Sequence, residues 1–404
     1  MFNMPSIEKI GISAFKTGDH PFNGQLFSEK EDFVVHEIEA DKTVLDTKEG
    51  TIDSDIGDRK DFLVCTLVKK GTSTQEALRI ISKENHLSIK RFGYFGNKDK
   101  NAVTAQSISV FKGEVSKIKW QYKNFFLKDF RYSDAGCKIG ALYGNRFTVR
   151  IRNFAGKEEL DNFLDEIRSG IPNFYGPQHF GSSALNIDVS KNIIKRDFRN
   201  ALVDFLLKKR DESISASDSR ERMSGFFSPY ILGEATLDQT AADALINSLP
   251  GFFYQEKNIL RHLTLNKNDF IGAFRLVPKY FRLMILQSVQ SYVFNLTLSE
   301  FIKKGEQPPT TIPTIGHDLM IDALEKPVRS AISAAMEKAG IPDVSTLELK
   351  EMPEVSLRTF QRESLVYPED IKYAFESNDL ALSFTLKKGA YATVLLLEMF
   401  KRLN

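Results

Sequence analysis

Asp99 is the only carboxylate in the polar segment "GNKDKNAVTAQ", residues 96–106, which leads into an apolar run typical of a strand. Lysines flank it on both sides, and nearby ammonium groups keep a carboxylate ionised. An ionised carboxylate can act as a nucleophile that forms a covalent intermediate. Adjacent side chains of an extended chain point to opposite faces, so neither Lys98 nor Lys100 has to contact Asp99. A turn in which Asp99 accepts backbone hydrogen bonds explains the same residues without catalysis.

Two further segments combine aromatic rings with residues that can hydrogen-bond. "GIPNFYGPQHFG", residues 170–181, holds three aromatic residues together with Asn173, Gln178 and His179. Aromatic faces stack on nucleobases and amides bind base edges, so this segment is a candidate platform for RNA. The alternative is an aromatic loop that packs on the core. In "LKKGAYATVLL", Tyr391 follows a strand and precedes a helix, where it either borders a cleft or packs on the core.

The helices that must position these segments are visible in the apolar periodicity. "STQEALRIISKENHL", residues 73–87, has Ser73 three positions before Glu76, which is the spacing of a capping box. "KEELDNFLDEIRSG", residues 157–170, has four apolar residues at helical spacing: Leu160, Phe163, Leu164 and Ile167. A long helix through residues 279–304, with apolar residues on most sides, should be largely buried.

Strands are predicted at both ends of the chain: 32–38, 61–68, 106–111, 145–152 and 382–387. In residues 145–152, Phe147, Val149 and Ile151 alternate with polar residues, as in a half-buried strand. The stretch from about 190 to 360 is mainly helical in pattern. This order predicts an α+β fold in which an inserted helical domain interrupts the sequence of a sheet domain.

Two polar segments are predicted to be exposed loops. Residues 47–60 and 208–225 are rich in Ser, Asp or Gly and poor in large apolar residues. The arginines of the second segment offer an alternative role as RNA contacts, but a solvated loop explains them equally.

Composition excludes several classes of protein. The chain has 55 Lys and Arg against 53 Asp and Glu, so any basic surface that attracts RNA has to be local. Two cysteines cannot build a disulfide framework, and six scattered histidines lack metal-ligand spacing, so we expect no metal site. Glu8 and Lys9 interrupt the apolar core that a signal peptide needs, and no apolar run is long enough for a membrane span. We therefore expect a soluble cytoplasmic protein with no membrane association.

Taken together, the motifs resemble those of the TruD family of tRNA pseudouridine synthases. "GNKDKNAVTAQ" is similar to the family's GxKDxxAVTxQ signature. The other matches follow in the family's order: "EDFVVHE" (31–37), "GNRFTVRIRN" (144–153), "NFYGPQHFG" (173–181), "QSYVFN" (290–295), "IGHD" (315–318) and "KKGAYATVLLLEM" (387–399). The resemblance covers nearly the whole chain, and it favours the nucleophile interpretation of Asp99 over the turn.

The resemblance implies a cofactor-free isomerisation of uridine to pseudouridine in RNA, typically at uridine 13 of tRNA. It implies a pseudouridine synthase catalytic domain with a mixed, mainly antiparallel sheet, at residues 1–190 plus 366–404. A helix-rich TRUD insertion domain would occupy residues 191–365. The implied partner is tRNA, with other RNAs as further candidates, and the family suggests a monomer.

The resemblance also assigns roles to individual residues. Asp99 would be the nucleophile, acting on a uridine flipped out of its stack. Phe33 and Tyr391 would pack against the flipped nucleotide, and Asn173 would hydrogen-bond near it and help to position the Asp99 segment. Lys98 is expected to contact phosphate or to tune Asp99, and Gln178 is a further candidate substrate contact.

The chain departs from the family pattern at three positions. Phe27 stands where the family commonly has a lysine, an electrostatic contact that Lys30 could replace. His179 stands where arginine is usual, which predicts a contact that depends on pH near neutrality. The position of Tyr391 is phenylalanine in some relatives, so stacking alone is sufficient there.

Two competing functions remain at this stage. A tRNA-binding and folding chaperone would use the same cleft without turnover, although the intact Lys98-Asp99 motif argues against a purely non-catalytic role. An unrelated hydrolase with Asp99 as its base has little support, because the sequence contains no nucleophile elbow, P-loop or second carboxylate pattern.

Overall fold

A computed structural model describes residues 6–50 and 56–402 of the chain. These residues divide into two compact units, each of which draws on two separate stretches of sequence. We term residues 17–171 and 366–402 the sheet unit, and residues 6–16 and 172–365 the helical unit. The predicted division into a catalytic domain and a TRUD insertion is a statement about family domains, and it stays a prediction.

The strands run in chain order as follows: β1 (Asn23–Gln25), β2 (Phe33–Ile38), β3 (Phe62–Lys70), β4 (Phe92–Tyr94), β5 (Val103–Phe111), β6 (Phe125–Ser133), β7 (Gly144–Ala155), β8 (Ile171–Pro172), β9 (Thr311–Pro313), β10 (Gln361–Glu363), β11 (Leu365–Val366), β12 (Glu369–Glu376) and β13 (Asp379–Lys387). All five predicted strands are present, with boundaries shifted by up to three residues.

The helices follow in the same way: α1 (Thr74–Glu84), α2 (Leu160–Arg168), α3 (Leu185–Ile194), α4 (Phe198–Leu206), α5 (Ile214–Leu232), α6 (Gln239–Ser248), α7 (Tyr254–Leu265), α8 (Phe270–Arg275), α9 (Lys279–Lys303), α10 (Lys326–Ala339) and α11 (Ala392–Phe400). Among the described residues, no helix combines the length and the apolar composition that crossing a membrane requires.

The sheet unit is built on one large mixed sheet with the strand order β12-β13-β7-β2-β5-β3-β6. Strand β1 pairs with β7, and β4 pairs with β5. Strands β2 and β5 are parallel, whereas the other pairings are antiparallel. This confirms the predicted α+β fold with a mixed, mainly antiparallel sheet.

Two hydrophobic clusters cover one side of this sheet. In the first cluster, α2 and α11 pack on β2, β7 and β13 through residues such as Leu164, Leu395 and Phe147. In the second, α1 packs on β3 and β5 through residues such as Leu78 and Ile108. Burying this apolar surface stabilises the unit, at roughly 25 cal/mol per Å² removed from water.

The helix signals of the sheet unit are confirmed. The Ser73 hydroxyl accepts a hydrogen bond from the Glu76 backbone amide at 3.1 Å, and this caps α1. The four periodic residues predicted for α2 are all buried. After α2 the chain turns at Gly170, whose φ of +92° lies in the left-handed region that glycine adopts without strain.

The helical unit is centred on α9, which begins after Pro278 and is buried on most of its surface, as predicted. Helices α3 and α10 pack against it. Asn295 on this helix ties two distant segments together within the unit. Its amide nitrogen donates to the Ile10 and Tyr175 carbonyls, and its oxygen accepts from the Tyr175 amide.

The prediction of a loop at residues 208–225 is wrong, because α5 begins at Ile214 inside that segment. Ser213 caps the helix by accepting from the Ala216 amide. The buried face of α5 includes Arg220, whose guanidinium bonds Glu212. Before Met223 this face holds only small or ion-paired residues, so the first turns lack the large apolar periodicity that marks an ordinary amphipathic helix. The other predicted loop, 47–60, is irregular at 47–50 and 56–60, and residues 51–55 lie outside the described residues.

Candidate active site

The register of the central sheet gathers polar side chains on the side that the helices cover. Glu37 of β2 is paired with Asn145 of β7, and Lys69 of β3 is paired with Thr104 of β5. Val35 shows that the two pairs lie on the same face of the sheet. It is paired with Thr104, and it lies two positions before Glu37 on β2. Paired residues share a face, and so do residues two apart on one strand. We term this set the polar strip: Lys69, Thr104, Gln106, Glu37 and Asn145.

The polar strip lies between the two hydrophobic clusters. Asn145 is paired with Leu386, which belongs to the cluster under α2 and α11. Gln106 is paired with Leu67, which belongs to the cluster under α1. Polar side chains enclosed by apolar neighbours cost free energy unless they find partners. Their presence between two packed cores therefore points to a site.

The segment that carries Asp99, residues 95–102, is tied to the polar strip by side chains of the sheet unit. The Gln106 amide nitrogen donates to the Gly96 carbonyl at 3.1 Å. The Thr74 hydroxyl donates to the Gln106 amide oxygen at 2.8 Å and accepts from the Lys98 backbone amide at 3.0 Å. These bonds fix the backbone just before Asp99, as a catalytic group requires.

Lys69 is buried beneath Asp99. Its ammonium donates to the Asp99 carbonyl at 2.7 Å and to the Lys98 carbonyl at 3.3 Å. Burial lowers the pKa of Lys69 to about 8, although the Asp99 carboxylate acts in the opposite direction. The residue was not identified from the sequence, where it resembles a lysine at the exposed end of an apolar strand.

The lysines beside Asp99 form ion pairs with other acids. The Lys98 ammonium lies 2.5 Å from the Glu37 carboxylate, and both side chains are almost fully buried. Burial raises the pKa of Glu37, and Lys98 opposes that shift. Lys100 pairs with Glu76 at 3.4 Å on the surface. Both flanking lysines therefore have an acidic partner other than Asp99, and the role of Lys98 toward substrate stays a prediction.

Phe33 and Tyr391 belong to the same part of the sheet unit as Asp99. Phe33 packs edge-on against Phe27 and stacks on Phe147, with ring centroids 5.3 and 5.9 Å apart. Its cluster also contains Ala102, three positions after Asp99, and Ala390 and Ala392, which flank Tyr391. The segments that carry the three predicted residues therefore border the same cluster. Tyr391 is half-buried and precedes the first turn of α11.

Asn145 is a further candidate that was not singled out from the sequence. Within residues 6–50 and 56–402, its buried side-chain oxygen has no hydrogen-bond partner, and the same holds for the Thr104 hydroxyl. Leaving such a group unsatisfied costs about 1–3 kcal/mol, so orphaned groups in a site are candidates for ligand contacts. The sequence does contain a sign of this residue: Asn145 is a polar residue at the start of the otherwise apolar face of β7.

We expect Asn145→Leu to separate stability from function. Leucine keeps the branching of asparagine and removes the orphaned oxygen, so the melting temperature should stay within about 3 °C of wild type or rise. The value of kcat/KM on RNA should fall by at least about tenfold if the oxygen binds substrate. Unchanged kcat/KM, measured beside the melting curve, would contradict a substrate contact.

The 170–181 segment continues into the helical unit, which carries Asn173 and Gln178. Asn173 is 6% exposed. Its side-chain oxygen accepts from Arg362 at 2.8 Å, and its amide nitrogen donates to the Glu363 carbonyl at 3.0 Å. These bonds give Asn173 a structural role, and its contact with substrate stays a prediction. Gln178 lies exposed on the short helical turn Pro177–His179.

The predicted pH dependence of a His179 contact near neutrality is wrong. Burial, together with the Arg362 guanidinium, lowers the pKa of His179 to about 4, so the imidazole is neutral at pH 7. The guanidinium of Arg362 lies 4.0 Å from the centre of the Tyr175 ring. Arg362, which is distant in sequence, therefore contacts the aromatic segment that contains His179.

The lowered pKa of His179 predicts a loss of stability in acid. The unfolded chain binds a proton on this histidine below about pH 6.5, whereas the folded chain does so only near pH 4. Stability therefore falls as the pH decreases between these values, by up to about 3 kcal/mol at pH 4. His179→Gln should remove that part of the dependence in urea unfolding curves recorded from pH 4 to 7. An identical pH slope in both proteins would contradict the assignment.

Among the described residues, no group of three His, Cys, Asp or Glu side chains is arranged to hold a metal ion. The structure presents the Asp99 side chain on a braced backbone, next to the buried Lys69 ammonium. Such a site is suited to nucleophilic or electrostatic chemistry on a flat, polar substrate.

The chain matches one protein family over most of its length. The family model described as "tRNA pseudouridine synthase D (TruD)" matches residues 9–314 and 302–399. A probable tRNA pseudouridine synthase D of Methanosarcina barkeri is 28% identical over 98% of each chain, and one of Methanococcus vannielii is 30% identical over 95% of this chain and 97% of that protein. A crystal structure from Methanosarcina mazei that carries the TruD name has a TM-score of 0.70 and 25% identity, and covers 98% of this chain and 97% of that one.

Proposed function

This chain belongs to the TruD family of tRNA pseudouridine synthases, and we propose that it isomerises uridine 13 of tRNA with Asp99 as its nucleophile. The observation that carries the proposal is the bracing of Asp99. Lys69, Thr74 and Gln106 bond the backbone at Asp99 and at the residues just before it. A surface turn needs no such support.

The reaction fits a site with a single carboxylate. The bond between N1 of uracil and C1′ of ribose breaks, the base turns over, and a bond forms between C5 and C1′. The proton on C5 goes to solvent and N1 gains a proton, so atoms and electrons balance without an oxidant or a group donor. Asp99 either displaces uracil from C1′ and is itself displaced when C5 bonds to C1′, or adds to the base and is expelled again later. Either route divides one difficult step into easier ones. Its charge also stabilises positive charge that develops at C1′.

The other candidate residues take roles around the flipped uridine. Phe33 and Tyr391 would pack against the base, and the Asn145 oxygen would accept a hydrogen bond from it. Asn173 and Gln178 stay proposed substrate contacts, and Lys98 would hold the Glu37 end of the polar strip. Lys69 would keep Asp99 ionised and in place.

The proposal extends to the domains and the setting of the enzyme. Residues 1–190 plus 366–404 would form the catalytic domain, and residues 191–365 would form the TRUD insertion. We infer a cytoplasmic enzyme that acts as a monomer on tRNA. Light scattering across a range of protein concentrations tests the monomer, since a mass above 45.8 kDa per particle would contradict it.

Position 13 is tested by mapping the product. A tRNA transcript is incubated with the enzyme, modified with carbodiimide and read by primer extension. We expect a single stop that reports pseudouridine at position 13, and none on a transcript with cytidine there. A stop at another uridine would overturn the position and leave the reaction class intact.

A further inference from the structure

A groove of about 660 Å³ opens in the sheet unit where β3 ends and where β5 and β6 begin. Its volume lies within the range of roughly 300–1,000 Å³ that is typical of ligand sites. Lysine and aromatic side chains both line it, among them Lys30, Lys123, Trp120 and Tyr122. Lys30 is the residue that could replace the family's lysine at the position of Phe27, and the other three have no role in the site around Asp99.

The charge balance of the groove favours an anion. Lys30 and Lys123 are exposed and have no acidic partner within residues 6–50 and 56–402. Lys70, which also lines the groove, pairs with Glu31, and Glu49 is the acidic residue among the described lining. Two uncompensated ammonium groups are arranged to attract phosphates.

The aromatic rings are held firmly in place. Tyr122 stacks on Phe125 with ring centroids 4.3 Å apart, and its hydroxyl accepts from the Asn85 amide at 2.8 Å. Trp120 is half-buried, and its carbonyl accepts from the Leu127 backbone amide at 2.8 Å. Rigid rings beside lysines are typical of surfaces on which single-stranded bases stack.

The groove reaches the Asp99 segment. Lys69 and Val103 line it, and the Lys69 ammonium is bonded to the Asp99 carbonyl. An RNA strand with one nucleotide at Asp99 therefore has its neighbouring nucleotides within reach of the groove.

We propose that this groove binds the RNA strand next to the target nucleotide, with a base stacked on Trp120 and phosphates contacted by Lys30 and Lys123. The inference rests on the proposed function, since it takes the strand to be that of the RNA substrate. The ligand class is a single-stranded polynucleotide, because its bases stack on aromatic rings and its phosphates bind lysines.

Trp120 is the only tryptophan of the chain, so its emission reports on the groove directly. The full chain with Asp99→Asn is titrated with a tRNA transcript, while filter binding measures the Kd independently. We expect emission to fall by at least about a third at saturation, as stacking of a base on the indole predicts. Heparin, a polyanion without bases, should bind with a smaller change in emission.

The lysines are tested by Lys30→Ala with Lys123→Ala. We expect the Kd for tRNA to rise about tenfold. The slope of log Kd against the logarithm of the salt concentration should decrease by roughly one to two. In the chain with Asp99 intact, kcat should stay within twofold while KM rises. Lys83→Ala with Lys90→Ala removes two other exposed lysines of the sheet unit and should change none of these values.

The two proposals fail in different ways. Absence of turnover by the wild-type enzyme on any tRNA would refute the proposed function. Unchanged Trp120 emission at saturating tRNA, with equal Kd for the two double variants, would refute the groove. An equal change in emission with heparin would also refute it, because stacking would then not be the cause.

Discussion

Asp99→Asn is expected to abolish isomerisation and to leave tRNA binding intact. Asparagine has the same size as aspartate, and the backbone carbonyl that Lys69 binds is unchanged, so the segment should stay in place. The amide cannot attack carbon, and loss of the nucleophile should lower kcat by at least about 10³-fold. Release of tritium from C5-labelled uridine measures the step directly, because each turnover frees one hydrogen from C5.

Asp58→Asn is the matched control, since it removes the same charge from an exposed aspartate of the sheet unit. It should release tritium at the wild-type rate. We expect both variants to bind tRNA within about threefold of wild type. Undiminished tritium release by Asp99→Asn would refute the nucleophile. If the protein is instead a chaperone without turnover, neither variant should release tritium and both should refold tRNA.

Lys69→Met is expected to lower kcat by about 100-fold with a small change in KM. Methionine fills similar space but cannot donate to the carbonyls of Lys98 and Asp99, so the nucleophile loses its support. Displacement of a reacting group by about 1 Å costs on the order of 10² in rate. Single-turnover tritium release at saturating enzyme measures the rate constant of the chemical step without interference from binding or product release.

The pH profile distinguishes this role from a general loss of structure. The pKa of Lys69 is about 8, so wild-type kcat should decline as the pH rises through that value and the ammonium is lost. Stability should change in the opposite direction. Between about pH 8 and 10.5 the unfolded chain holds more protons on this group, so its contribution to stability rises with pH. In Lys69→Met we expect both effects to disappear. A wild-type profile in that variant would contradict the assignment.

The elements that the sequence predicted are those whose buried face forms a local pattern. Phe147, Val149 and Ile151 alternate along β7, and all three are buried. A pattern of this kind depends only on which side of a strand or helix meets the core. Such a pattern can be recognised from neighbouring residues alone, without knowledge of the rest of the fold.

The supporting residues of the site have no such local pattern. Lys98 meets Glu37 across 61 positions, and Arg362 meets Asn173 across 189. Motifs pointed to Asp99, Phe33 and Tyr391, whose segments converge on one cluster. Lys69 and Asn145 became visible only through strand register and unsatisfied polar atoms, which exist only once the sheet has formed.

The pairing of β7 with β13 has a consequence for how the protein is made. Thr148 and Ser383 face each other in this ladder although 235 positions separate them. At typical rates of synthesis, the ribosome needs roughly 10–50 s to translate that interval. During this time one edge of β7 lacks its partner strand, and an open strand edge invites pairing with other chains. Nascent molecules should therefore depend on chaperones more than a protein of this size with mainly local contacts.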